Sequence, residues 1–257
     1  MVTFVPPSHG GTLAAHMRCG APGKKVRGGM RRINVFAVRS ILDINVPGGA
    51  DKVLLHTCCA PCSSAIIECM MGNGVTPVIY YCNPNIFPET EYDIRRNECA
   101  RYAQSLGIAM IDAGYSHEAW LRCVSGMEDE PERGRRCMSC FKMRLAETAL
   151  YASGHGFKVM ATTLASSRWK SVEQVNEAGR WAADRVHGVT FWARNWRKGG
   201  LTERRAAIIR QFAFYNQQYC GCEFSLRARE ARVKYAVHDG ANAGSALCAG
   251  NGLRQGF

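Results

Sequence analysis

The chain has 257 residues, of which 47% are hydrophobic and 21% charged, and this composition excludes wholesale disorder, coiled coil and collagen-like repeats. No stretch approaches the ~18 consecutive apolar residues of a membrane span, which argues against an integral membrane protein. The formal net charge of +12 is uneven: residues 1–50 contribute +6, residues 228–257 contribute +2 and the stretch between them only +4.

Residues 1–50 are rich in arginine and almost free of acids. Their few serines and the prolines and glycines Pro6, Pro7, Gly10, Gly11, Gly48 and Gly49 argue against an amphipathic transit peptide. They read as a disordered extension, or as sequence upstream of a functional start at Met30. Five short apolar runs follow at 52–57, 76–82, 108–113, 158–163 and 189–193, and each reads as a buried strand. Helical patterns lie near 63–73, 89–106, 116–124, 138–154, 170–185 and 202–216. In the fifth of these Val172, Val175, Ala178, Gly179 and Ala182 share one core-facing side. Residues 228–257 lack sustained periodicity and read as a poorly ordered tail. The expected domain is therefore 51–227, an α/β unit with parallel strands, right-handed crossovers and helices on both faces. In such folds the site lies at the carboxyl ends of the strands.

Thirteen cysteines in a chain too long for a disulfide-stapled domain, without a signal-peptide pattern, point to a cytosolic protein with metal or redox chemistry. Cys58, Cys59 and Cys62 fall in HTCCAPCS, between the first strand and the first helix, with Pro61 suited to an opening helical turn. A helix N-terminus there favours thiolates. Cys137 and Cys140 in RRCMSCFKMR open another helix, and their spacing puts both sulfurs on one face. Cys220 and Cys222 form YCGC. Cys69, Cys82, Cys99 and Cys123 read as buried hydrophobes, and Cys19 and Cys248 fall in the tails.

Four thiolates from Cys58, Cys59, Cys137 and Cys140 satisfy a [4Fe–4S] cluster and equally a structural zinc. The vicinal pair Cys58–Cys59 tilts against a simple zinc knuckle and leaves a redox thiol site open. A disulfide between Cys220 and Cys222 would close a very small ring and be easily reduced, as a catalytic pair requires.

Two basic runs remain: Arg133, Arg135, Arg136, Lys142 and Arg144, then Arg194, Arg197, Lys198, Arg204, Arg205 and Arg210. Each reads as a solvated face or as a phosphate contact. Thr162, Thr163, Ser166 and Lys170 fit either a phosphate or ribose contact or helix capping, and His56 either a packed strand residue or a proton donor. Asn83-Pro84-Asn85, with Tyr92, Arg95 and Arg96 after it, fits a turn and a helix face. Walker A, GxGxxG and HExxH patterns are absent, so a standard NTPase, nicotinamide enzyme or zinc protease is unsupported.

The phrases LLHTCCAPCS, YYCNPNIFPETEY, GRRCMSCFKMRL, ATTLASSRWK and YNQQYCGCEFS occur in an order that resembles the QueH-type epoxyqueuosine reductases, over roughly residues 52–227. The resemblance implies a Rossmann-like three-layer sandwich with a mostly parallel sheet, similar to the nucleotide α-hydrolases, with CCAPC where those proteins hold a phosphate loop. It implies a cobalamin-independent oxidoreductase of the cytoplasm that removes the epoxide oxygen of epoxyqueuosine at the tRNA wobble position, the last step of queuosine biosynthesis. Its cofactors would be a [4Fe–4S] cluster and room for a second metal ion, iron or zinc. Its partners would be tRNAs with GUN anticodons and an electron donor.

Carried onto this sequence, Cys58, Cys59, Cys137 and Cys140 match the cluster ligands and Cys220 and Cys222 the redox pair, while Cys62 is a further metal or site candidate. Arg135, Arg136, Lys170, Arg197 and Lys198 are the expected tRNA contacts. Asn195 and Asn216 depart from the family pattern, which usually has an acid and an arginine there. Two other readings stay open, a structural-zinc RNA-binding protein without catalysis and a cytosolic thiol oxidoreductase.

Overall fold

The computed structural model describes residues 42–234. Their order is β1 (Lys52–His56), α1 (Ala60–Gly72), β2 (Thr76–Tyr81), α2 (Glu89–Leu106), β3 (Met110–Asp112), α3 (His117–Val124), α4 (Arg135–Gly154), β4 (Val159–Thr162), α5 (Val172–Ala183), β5 (Thr190–Phe191) and α6 (Leu201–Phe212). A terminal helix, α7, runs over 223–234. The strands form one sheet in the order β3-β2-β1-β4-β5, and every pairing among the described residues is parallel. The sheet is thus entirely parallel where a mostly parallel one was expected.

Strand β1 occupies the centre, with Leu54 opposite Val78 on one side and Met160 on the other. Val53, Leu54 and Leu55 are fully buried, and β1 reads as a continuous apolar run because both faces of the sheet are covered. Right-handed crossovers outward in opposite directions from β1 put α1 and α2 on one face and α4 and α5 on the other. Helix α6 returns to pack on α1, while α3 and α5 pack on α4. Gly179 lets α5 approach the sheet edge, since a Cβ there would come within 2.2 Å of the Phe191 ring.

Several boundaries differ from those expected, and the differences position the chemistry. Helix α1 begins at Ala60, which makes Cys59 its N-cap and puts Cys62 in its first turn. Helix α4 begins at Arg135, so Cys137 and Cys140 lie in its first two turns. Helix α6 stops at Ala213, in the left-handed conformation at φ 50°, which leaves Asn216 and Gln217 in a loop. Ile44 and Val46, ahead of the expected domain start at 51, are buried in the core. The expected end at 227 falls inside α7. The readings placed on residues 1–41 and 235–257, including Met30, Cys19 and Cys248, lie outside the described residues. Among the described residues no helix is long and apolar enough to cross a membrane.

Candidate metal and thiol centre

The site grows from the end of the central strand. Asn83 Nδ2 donates to the Thr57 carbonyl (2.9 Å), and Arg144 Nε donates to the Cys82 carbonyl (3.2 Å) while its Nη2 bonds Asn83 Oδ1. His56 Nε2 donates to the same Cys82 carbonyl (3.0 Å), so its Nδ1 accepts from the Thr162 hydroxyl (2.8 Å). Burial, then the Arg144 charge, push its pKa down to about 3. Both ring nitrogens of this buried side chain are thus engaged within the fold, which favours the packed strand residue of its two readings.

The chain turns through Cys58 and Cys59 into α1. The Cys58 N–H donates to Thr163 Oγ1 (3.2 Å), and the Thr163 hydroxyl faces the Cys58 sulfur (3.5 Å). The Cys58 and Cys59 sulfurs are 3.8 Å apart, and those of Cys58, Cys59 and Cys62 all lie within 4.8 Å of one another in a buried group. Sulfurs around one tetrahedral ion with bonds of ~2.3 Å are separated by about 3.8 Å, so the spacing fits metal binding.

The acid–base chemistry fits it too. Hydrogen bonds from Cys59 and Cys62 hold the Cys58 thiol well below its usual range. Burial and its neighbours push Cys59 well above, and Cys62, led by its contact with Cys58, rises to about 11. Three adjacent thiolates repel one another, and a bound cation removes that conflict because metal ligation takes the deprotonated form. This group could hold a metal ion.

Cationic side chains surround the three sulfurs. Burial opposes the Lys170 ammonium, but the charges of Cys220, Cys58 and Cys62 outweigh it and raise its pKa. Burial likewise opposes Arg95, and Cys59 and Glu91 outweigh it; its guanidinium meets Glu91 Oε1 through Nε (2.8 Å) and Nη2 (2.6 Å). The Arg205 charge also bears on Cys62. Gln217 Nε2 donates to the Cys59 sulfur at 2.9 Å. An anionic sulfur set is thus compensated from several sides.

A second thiol group lies at the same end of the sheet. The Arg133 N–H donates to the Cys137 sulfur (3.2 Å). Burial, reinforced by Cys140, Cys220 and Cys222, pushes Cys137 to about 12, and burial followed by the Cys220 charge takes Cys222 to about 11. Cys140 and Cys222 share a small apolar cluster with Trp120 and Phe224. Gly221 sits at φ +132°, where a Cβ would meet Arg95 Nη1 at 3.1 Å, so the segment between Cys220 and Cys222 admits only glycine without strain. Both of these cysteines are free thiols. The structure therefore joins Cys62 closely to Cys58 and Cys59, and brings Cys137 and Cys140 alongside Cys220 and Cys222.

The expected RNA contacts separate. Arg135 is exposed and pairs with Glu130 at 2.6 Å, and Lys198 is exposed. Arg136 is 4% exposed; its Nη1 donates to the carbonyls of Met127 (3.1 Å) and Glu128 (2.6 Å), and its guanidinium lies 4.4 Å from the Phe224 ring centre. It supports a loop rather than presenting charge to solvent. Lys170 is buried and faces the thiols rather than the surface. Arg197 bonds the Ser167 carbonyl and the Lys170 carbonyl (2.7 Å), with its own N–H received by Asn195 Oδ1 (3.0 Å). Sequence reasoning passed over Arg168, Trp169 and Gln217, which line a cleft of about 380 Å³ that reaches Cys62 and Asn216. The first two lie in ATTLASSRWK, where the hydroxyls and Lys170 are the residues with a phosphate or ribose reading in sequence.

Fold and site together define a doubly wound parallel α/β protein with a buried thiol centre able to hold a metal ion. A family profile described as Epoxyqueuosine reductase QueH matches residues 53–228. The chain is similar to proteins named Epoxyqueuosine reductase QueH from Histophilus somni (47% identity over 201 residues, 77% of this chain and 83% of the relative), Haemophilus influenzae (46% over 184 residues, 72% and 75%) and Acinetobacter baylyi (45% over 186 residues, 72% and 85%). The chain belongs to the QueH family, whose members carry the name of an oxidoreductase.

Proposed function

We propose that the protein reduces epoxyqueuosine to queuosine in tRNA, with a [4Fe–4S] cluster held by Cys58, Cys59, Cys137 and Cys140. Cys62 is the donor left for a second metal ion, iron or zinc, and Cys220 with Cys222 is the redox pair. The observation that supports a metal-dependent reading is the set of three buried sulfurs within 4.8 Å at the carboxyl end of the central strand, which includes two of the four cluster ligands, Cys58 and Cys59, together with Cys62. The reaction consumes two electrons and two protons: both carbon–oxygen bonds of the epoxide break, a carbon–carbon double bond forms and the oxygen leaves as water. A bound cluster supplies electrons one at a time, and a dithiol that closes to a disulfide releases two.

The chain's own part is to bind and orient. Lys170 and Arg95 hold fixed positive charge beside the sulfurs, which favours their ionised form. The exposed Arg135 and Lys198 supply phosphate contacts, and phosphates position an RNA without reading its sequence. Arg197 orders the loop that bears Arg168 and Trp169. The protein works in the cytoplasm, where tRNA and a low-potential electron donor meet.

Protein purified without oxygen tests this directly. It is expected to be brown, to contain iron and sulfide, and to convert epoxyqueuosine-bearing tRNA with a chemical reductant, seen as loss of one oxygen from the modified nucleoside. A colourless protein filled with zinc would favour the structural-zinc reading. Disulfide reduction in a protein substrate without iron would favour the thiol oxidoreductase.

A further inference from the structure

We infer that the cleft between the loop after β4 and helix α6 receives the modified nucleoside itself, with its base stacked on Trp169 and its flanking phosphates held by Arg168 and Arg205; this rests on tRNA being the substrate. The cleft, about 380 Å³, lies within the size range of small-molecule sites. Cys62 forms part of its lining, so a group seated there lies against the thiol centre.

The loop that carries the aromatic side chain is built to hold it still. Arg197 binds the carbonyls of Ser167 and Lys170. From the other side Arg133 binds the carbonyls of Arg168 (3.1 Å) and Trp169 (3.5 Å). Four consecutive carbonyls are thus tied by two guanidinium groups, and the side chains of Arg168 and Trp169 extend from a fixed frame. The Arg168 guanidinium stacks on the Trp169 ring, 4.6 Å from its centre. Such aromatic and guanidinium planes are what splayed RNA bases add to.

Charge and unmet hydrogen bonding narrow the ligand further. Arg168, Arg197 and Arg205 line the cleft without a single carboxylate, which selects an anion. Gln217 uses its amide nitrogen on the Cys59 sulfur, and its Oε1 is buried without a partner. It is an unmet acceptor on a side chain that lines the cleft, matched by an N–H or O–H of a nucleoside. An aromatic face, three arginines and a free acceptor beside a thiol centre together describe a nucleotide site.

The test uses metal-loaded protein and two anticodon stem-loop RNAs, one bearing epoxyqueuosine at the wobble position and one bearing guanine. Affinity is read by fluorescence anisotropy, with KM, kcat and iron content measured beside it. Trp169→Ala is expected to weaken binding of the modified stem-loop by about 10- to 100-fold, to raise KM more than it lowers kcat, and to keep its iron. Trp169→Phe should restore most of the loss, which separates stacking from a folding defect. Gln217→Leu should narrow the preference for the modified over the unmodified stem-loop. Arg205→Gln should weaken both RNAs and reduce the salt slope of binding by about one. Unchanged affinity of Trp169→Ala for the modified stem-loop would overturn the cleft assignment. Wild-type protein that binds this RNA without converting it would overturn the reductase reading alone, and the Trp169 variants would still decide the cleft.

Discussion

The two thiol groups at the strand ends are assembled in different ways. Cys58, Cys59 and Cys62 come from one turn between β1 and α1, so their spacing follows from a strand that ends in the sheet centre and a helix that starts at once. Cys137 and Cys140 come from the start of α4 and Cys220 and Cys222 from the segment before α7; Cys140 and Cys222 share an apolar cluster with Trp120 and Phe224, and Arg136 lies over the Phe224 ring. The first group is local and buried, with compensating charge around it; the second depends on tertiary packing and is partly exposed. A centre placed across both would combine a rigid half with an adjustable half.

The sharpest test of this contrast removes one sulfur at a time. Cys59→Ser and Cys137→Ser are both expected to bleach the protein and weaken metal binding by more than about 100-fold, since even partners behind the ligands account for 10–100-fold. Cys222→Ser should keep its iron and absorbance while activity collapses. Iron and sulfide analysis beside a turnover assay reads all three. If Cys222→Ser loses iron as completely as Cys59→Ser, the redox pair belongs to the metal shell. If Cys137→Ser keeps its iron, the first group holds the metal by itself.

How much of this was legible in the sequence follows the same division. The turn that carries Cys58, Cys59 and Cys62 could be read directly, because an apolar run, a proline and a helix signal are all local. The sheet could be read for the same reason, and β1 through β5 fall inside the runs at 52–57, 76–82, 108–113, 158–163 and 189–193. What spacing does not encode is which distant segments meet. Arg136 and Lys170 fit phosphate contacts in sequence, yet one is bound to backbone carbonyls and the other is buried beside the thiols. Asn83 is legible as a turn residue, while its bond to Arg144 joins residues from different layers. Ile44 and Val46 lie in a stretch that reads as an extension, because two apolar residues are too few to set a period, yet both side chains are buried in the core.

A smaller effect is expected where the second group is packed rather than ligated. Trp120 is 1% exposed beneath Cys140 and Cys222, and Trp120→Ala should cost about 3–5 kcal/mol by the cavity it leaves. Chemical denaturation measures the loss. In the metal-free protein, alkylation should then reach Cys140 and Cys222 faster while Cys58, Cys59 and Cys62 remain protected. Equal acceleration at both groups would show that they open as one unit.

Two glycines sharpen the comparison at the level of the backbone. Gly221 and Gly74 both have positive φ, but a Cβ at Gly221 would meet Arg95 while one at Gly74 would meet nothing within 4 Å. Gly74→Ala is expected to cost about 1 kcal/mol, the ordinary penalty for that backbone region. Gly221→Ala should cost about 1–3 kcal/mol and reduce activity as well, because the displaced guanidinium faces Cys59. Thermal denaturation and turnover of the two variants separate general strain from strain at the centre.

The smallest expected effect distinguishes two adjacent arginines. Arg135 has an 81% exposed side chain and one partner, Glu130, and exposed pairs of this kind contribute little to stability. Arg135→Ala should therefore leave the melting temperature nearly unchanged and reduce the salt slope of tRNA binding by about one, the signature of a lost phosphate contact. Arg136 is held by two carbonyls and the Phe224 ring. Arg136→Ala should lower the melting temperature, because those carbonyls lose their donor, and should leave the salt slope where it was. Binding titrations at several salt concentrations, run beside melting curves, give both quantities for each variant. An Arg136→Ala protein with a reduced slope and an intact melting temperature would return that side chain to the RNA surface, and with it the whole face of α4 that adjoins the second thiol group.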